Sequence, residues 1–160
     1  MSVDVVVWRI ATDTPDYEAH DLSGKGAEKT GGRWNRKGVP MVYASLSRAL
    51  ACLETVVHLG GSDPLPLNRY LVQISIPKPH WRSRRVLKPA DLVGWDAEPA
   101  GKASMDWGTA WQKAQATLLA QVPSVIVPEE HNILINPAHP SAVDITARKI
   151  RKWAYDQRIR

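Results

Sequence analysis

The sequence predicts an α+β fold, a compact single domain over residues 1–160 with antiparallel strands and a few helices. Three observations predict it. A length of 160 residues suits one domain, large enough for a core without metal or disulfide staples. Short β-branched or alternating apolar runs outnumber helical patterns. Those runs do not alternate with helices as a doubly wound parallel sheet requires.

Residues 3–10, VDVVVWRI, are β-branched and apolar, and read as a buried strand. Residues 12–38 are polar and contain Gly24, Gly26, Gly31, Gly32 and Gly38, as in a long functional or disordered loop. Residues 41–44 read as a short strand. The clearest helix covers 46–59, with Ser45 or Ser47 as cap and Gly60 and Gly61 as terminator. Leu46, Leu50, Leu53 and Val57 recur at the helical period and mark its core stripe. From 70 to 76, Tyr70, Val72, Ile74 and Ile76 share one face, with Gln73 and Ser75 opposite. This is a half-buried strand closed by Pro77 and Pro79. Asp106 can cap a second helix over 107–121. Residues 124–127 and 133–135 read as two strands about a polar turn, and 143–159 as a mainly extended ending.

Cys52 is the sole cysteine, which precludes an internal disulfide and fits a reducing cytoplasm. The start, MSVDVVVWRI, lacks the basic segment and long apolar run of a signal peptide, and no stretch is long enough to span a bilayer. A cytoplasmic location without a membrane partner is expected. The net charge of +5 favours anionic partners without choosing among phosphates, nucleic acids and acidic proteins. Two basic clusters stand out, Arg82, Arg84, Arg85 and Lys88, then Arg148, Lys149, Arg151 and Lys152. They read first as solvated surface and second as a nucleic-acid footprint, and no nucleic-acid motif accompanies them.

The densest polar set in an apolar frame lies between Gly31 and His58. Arg33 follows two glycines, where the backbone can approach a ligand and a guanidinium can grip a phosphate; taken alone it reads first as a surface arginine in a flexible loop. Tyr43 can stack on a base, hydrogen-bond a hydroxyl, or simply pack. Glu54 lies at the edge of the helical stripe, either facing a cleft or reaching solvent. His58 stands one turn later, within reach of Glu54 or suited to a helix C-terminus. The pair alone is too few ligands for zinc, and no metal is expected. Ser124, Asn132 and Asn136 punctuate PSVIVPEEHNILINPAHP, where turn chemistry also favours them. Gly24-Lys25-Gly26 fits neither a P-loop nor a dinucleotide fingerprint. Read residue by residue, the chain is a small α+β enzyme or binding module with an arginine and a glutamate in its site.

Taken together, the segments WRI, GGRWN, VYAS, ALACLE and PSVIVPEEHNILINP, with YDQRI near the end, resemble the RES domain family in content and order. The family is named for an arginine, a glutamate and a serine; on this chain the matches are Arg33, Glu54 and Ser124, with Tyr43 also in the pocket. The resemblance implies a fold similar to that of ADP-ribosyltransferase toxins. It implies a toxin paired with an Xre-like antitoxin that covers the site, with nucleic acid reached only through that antitoxin. It further implies that NAD⁺ is consumed as substrate, by degradation or by transfer of ADP-ribose to a protein such as phosphoribosyl pyrophosphate synthetase.

On that resemblance, Glu54 stabilises the cationic ribose that forms as nicotinamide leaves, or holds a ribose hydroxyl. Arg33 holds the pyrophosphate. Tyr43 stacks on nicotinamide or pins the ribose, Ser124 orients the ribose or amide, and His58 and Arg69 line the site. Glu129 and Glu130 are adjacent, so on a strand they would face oppositely, and neither is assignable as an acceptor-activating base. A ribonuclease-type toxin, supported only by the basic clusters, and a non-catalytic anion-binding module are the rival readings.

Overall fold

The computed structural model describes residues 4–59 and 64–159. Among them, seven strands form one sheet in the order β4-β5-β6-β2-β1-β3-β7. The strands are β1 (Val5–Thr12), β2 (Val42–Ser45), β3 (Arg69–Ile76), β4 (Arg85–Val86), β5 (Leu119–Pro123), β6 (His131–Ile135) and β7 (Thr146–Lys152). Every neighbouring pair is antiparallel except β4 with β5, which is parallel. Four helices accompany them: α1 (Lys25–Thr30), α2 (Arg48–Val56), α3 (Lys78–Arg82) and α4 (Lys102–Ala114). The architecture is the expected α+β domain. Residue 3 and the glycines at 60 and 61 lie outside the described residues.

Alternation along the strands divides the core. Val7, Val42, Ala44, Val72, Ile74, Ile133 and Ile135 bury one face of the sheet. On the other face, Ile10 and Leu71 meet α2 through Ala51 and Cys52, while Met41, Ala120, Val122 and Leu134 meet Trp34, Trp95 and Trp111. The β3 pattern read from the sequence holds, with Leu71 buried as well because α2 covers the second face.

Three expectations need correction. The glycine-rich 12–38 region contains the short helix α1, too brief to carry a helical pattern. The second long helix starts at Lys102 rather than after Asp106, which lies inside it and pairs with Arg36. It ends where Gln115 turns left-handed at φ 53°, so the apolar run from Leu119 on becomes strand β5 and not more helix. Residues 124–127, expected as a strand, form the turn between β5 and β6, where Ser124 N donates to Glu130 O at 2.9 Å.

Two features shape the site. The β1–β3 pairing runs the length of β1, but β1 and β2 share one paired position, Trp8 with Ser45. The sheet therefore parts between β1 and β2 beyond that point. In addition, α4 lies against the backbone of Trp34: a Cβ on Gly108 would stand 1.8 Å from Trp34 O, so only glycine permits this approach. Both basic clusters fall on or beside the outer strands β4 and β7, where charge discourages edge-to-edge pairing.

Candidate active site

Helix α2 places the carboxylate. Ser47 caps it in extended conformation, accepting Leu50 N at 3.1 Å. Its buried face is Leu50, Ala51 and Cys52 rather than the expected stripe; Leu46 and Val57 are 37% and 56% exposed. The helix rests on Ile10, Leu71 and Tyr155, and Thr55 Oγ1 meets the Tyr155 hydroxyl at 2.7 Å, so the closing YDQRI segment fixes the rotation of α2. That rotation turns Glu54 toward the interior rather than the rim.

Glu54 Oε1 accepts two hydrogen bonds, from Ser124 Oγ at 2.8 Å and from Asn132 Nδ2 at 2.7 Å. Ser124 is fully buried, and its oxygen also accepts Ile126 N at 3.1 Å and Val127 N at 3.2 Å. Asn132 in turn accepts from Ser45 Oγ at 2.7 Å. The carboxylate is thus locked from the β5–β6 side of the sheet.

The GGRWN segment forms the facing wall. Asn35 is fully buried and donates through Nδ2 to Ala27 O at 2.9 Å and Val39 O at 3.0 Å, closing the loop on itself. Trp34 is buried, stacked with Trp95 and edge-on to Trp107. Tyr43 donates to Asn35 Oδ1 and accepts Trp34 N at 3.0 Å. Burial pushes the Tyr43 phenol well above its usual range, against smaller opposing effects of Trp34 N–H and Arg33, so it stays a neutral hydroxyl. Gly32 is required here, since a Cβ would lie 2.7 Å from the Tyr43 hydroxyl.

Arg33 is 16% exposed and spends its guanidinium on a neighbouring segment: Trp95 O at 3.0 Å, Ala97 O at 2.7 Å and the Glu98 carboxylate at 3.0 Å. It therefore braces residues 95–98 as a wall, and any hold on a phosphate must use its remaining N–H groups or displace Glu98.

Glu54, Arg33, Tyr43 and His58 all line one cavity of about 870 Å³, within the roughly 300–1,000 Å³ of small-molecule sites. Trp8, Arg9, Ser45, Glu98 and Asn132 line it too, residues that sequence reasoning had not placed there. Arg9 is the most telling. It sits on β1 one residue past the shared Trp8–Ser45 position, half-buried, and among the described residues no acceptor or carboxylate lies within bonding distance of its guanidinium. Burial pulls its pKa down, partly offset by Tyr17 and Asp21, yet a guanidinium keeps its proton. The available signal was a charged residue inside an apolar strand run.

The remaining candidates fall differently. His58 is exposed on the cavity rim, beyond the end of α2, and makes no hydrogen bond with Glu54. Ser124 stands behind Glu54 and not on the cavity wall. Arg69 opens β3 away from the cavity, where it bonds Asn68 Oδ1 at 2.8 Å. Glu129 and Glu130 are exposed in the β5–β6 turn. Among the described residues, no group of three or more His, Cys, Asp or Glu is placed to hold a metal ion, and no helix is long and apolar enough to cross a membrane.

A parted mixed sheet whose cleft presents two arginines and one oriented carboxylate defines an α+β domain with a small-molecule site suited to an anionic ligand. The RES domain model matches residues 6–157. The chain belongs to the RES domain family. It is 63% identical over 153 residues, 95% of this chain and 94% of the relative, to the Prs ADP-ribosylating toxin of Sphingobium sp. (strain YBL2). It is 38% identical to Toxin Res of Yersinia enterocolitica serotype O:8 / biotype 1B, over 90% of this chain and 93% of that protein. Toxin Res of Pseudomonas putida is 34% identical, over 86% and 88%.

Proposed function

We propose that this chain is the toxin of a RES–Xre pair and cleaves the bond between nicotinamide and ribose in NAD⁺, passing the ADP-ribose to a protein acceptor. One observation carries the reading: a carboxylate fixed by two hydrogen bonds faces the same cavity as two arginines. A dinucleotide asks for that pairing, cations for its pyrophosphate and an anion for its reacting sugar.

In the reaction the C–N bond breaks and its electron pair leaves with nicotinamide, which becomes neutral and needs no general acid. Positive charge spreads over the ribose ring, and the oriented Glu54 carboxylate stabilises it. An acceptor nucleophile then bonds the anomeric carbon and releases its proton to solvent water. Arg9, which no acceptor among the described residues engages, is the first holder of the pyrophosphate, with Arg33 contributing from the braced wall. Tyr43, neutral and with its hydroxyl committed to Asn35 and Trp34, offers its ring to the nicotinamide ribose, and His58 flanks the entrance. The relative named for ADP-ribosylating Prs favours a protein acceptor, phosphoribosyl pyrophosphate synthetase being the first to test; water is the alternative acceptor. An Xre-like antitoxin covering the cavity mouth is the expected partner.

Purified protein incubated with labelled NAD⁺ and cell extract tests this. Nicotinamide release with label on a protein is expected; release with only free ADP-ribose identifies hydrolysis. No nicotinamide release, or full activity in Glu54→Gln, overturns the assignment. Cleavage of cellular RNA without loss of NAD⁺ would support the ribonuclease reading instead.

A further inference from the structure

We propose that Ser45 and Asn132 are positioning residues that aim Glu54, acting as a two-step hydrogen-bond relay across the sheet. The inference rests on Glu54 being the reacting carboxylate.

Ser45 and Asn132 are opposite one another in the antiparallel β2–β6 register, which brings their side chains together on the cavity face. Ser45 is buried, at 3% exposure, and its one hydroxyl proton goes to Asn132 Oδ1 at 2.7 Å. That choice settles which way the Asn132 amide points. With its oxygen held by Ser45, its nitrogen faces Glu54 and donates to Oε1 at 2.7 Å. The reversed amide would set its oxygen against a carboxylate oxygen and its N–H₂ against the hydroxyl, losing the charge-assisted bond. Ser124 reaches the same oxygen from the other side at 2.8 Å. Both donors therefore saturate Oε1, and among the described residues none engages Oε2. One oxygen is anchored to the fold; the other is left for the substrate. A carboxylate on a helix side chain with free torsions is thereby held in one orientation, the condition for electrostatic stabilisation without reorganisation during the reaction.

The test uses the full chain and nicotinamide release from NAD⁺. Asn132→Ala should lower kcat about 10- to 100-fold with KM changed less than about threefold, the signature of lost aim rather than lost binding. Ser45→Ala should shift kcat in the same direction by less. The double variant should be no slower than Asn132→Ala alone, since both act through one bond. Asn132→Asp keeps the shape but replaces the donor with an anionic oxygen. It should lose kcat near pH 8 and regain it as the pH falls and the new carboxyl, protonated, donates to Glu54 again. A packing role for Asn132 predicts no such pH recovery. The relay is overturned if Glu54→Gln is inactive while Asn132→Ala and Asn132→Asp, melting like the wild type, keep its kcat and pH profile. It is also overturned if the Ser45 and Asn132 effects multiply. If Glu54→Gln is fully active, the assignment of Glu54 fails first, so the two failures are distinguishable.

Discussion

The Ser124 hydroxyl donates to Glu54 Oε1 at 2.8 Å while its oxygen accepts the backbone N–H groups of Ile126 and Val127. One buried atom thus joins the turn after β5 to the carboxylate on α2. On the proposed function Ser124 would act through Glu54, since it bonds that carboxylate from behind the cavity wall rather than lining the space where a ribose or amide would sit. Ser124→Ala removes one donor and leaves two N–H groups without their acceptor. We expect a destabilisation of about 1–3 kcal/mol, seen in denaturant melts, together with a kcat loss and little change in KM. A rise in KM with kcat intact would instead return Ser124 to the substrate.

Arg9 presents the opposite balance. Arg9 is a half-buried guanidinium on the cavity wall, and among the described residues none accepts from it, so its N–H groups are left to solvent or to a ligand. Arg9→Met keeps most of the side-chain length. It should raise KM for NAD⁺ about 10- to 100-fold and leave the melting temperature equal or higher. The substrate-induced rise in melting temperature should vanish in the variant, because ligand stabilisation follows affinity. A variant that melts lower and binds NAD⁺ normally would make Arg9 structural.

The sequence was most informative where physics is local. Ser47 caps α2 within a residue of the expected start, and the alternation of β3 follows from its own residues. It was silent where a partner lies far along the chain. Ser124 and Asn132 meet Glu54 across 70 and 78 positions, and no periodicity encodes that. Arg9 was hidden because strand alternation says nothing about β1 and β2 parting after Trp8 and Ser45. The rotation of α2 is not legible locally, because Tyr155, which meets Thr55 across 100 positions, decides which face is covered. The α4 boundaries failed at Gln115, whose left-handed turn separates two apolar stretches that read as one helix.

Lys149 and Asp13 tie the β7 edge to the end of β1 at 2.9 Å. The bond to Lys149, with the Ala19 N–H next, holds the Asp13 carboxyl below its usual range, and the same bond raises Lys149. The signs set a window. A lowered carboxylate pKa contributes stability that is full above about 3.9 and lost as the pH falls through the folded value. A raised lysine pKa contributes stability that is full below about 10.4 and lost as the pH rises through its folded value. The melting gap between wild type and Asp13→Asn should therefore stay level from about pH 5 to pH 9 and close below about pH 4. A gap that persists in acid would rule out the carboxylate charge as its origin.

Arg33 and Glu98 define a second ionic contact whose function is separable from its stability. Glu98 is 72% exposed, so screening leaves the pair worth less than about 1 kcal/mol. Arg33, at 16% exposure, is held mainly by the Trp95 and Ala97 carbonyls. Glu98→Gln should hardly move the melting temperature. It removes a negative charge from the cavity wall and frees Arg33 N–H groups, so KM for NAD⁺ should fall about two- to fivefold at low salt, less at high salt. Arg33→Ala releases the 95–98 wall and should lower the melting temperature and raise KM. Arg33→Lys should resemble it, because an ammonium cannot span two carbonyls and a carboxylate as a planar fork does. Opposite KM shifts for the two partners would show Glu98 competing with substrate phosphate for Arg33. A KM raised in Glu98→Gln as in Arg33→Ala would mean that Glu98 holds the substrate itself, with the ribose hydroxyls as the groups its carboxylate can accept.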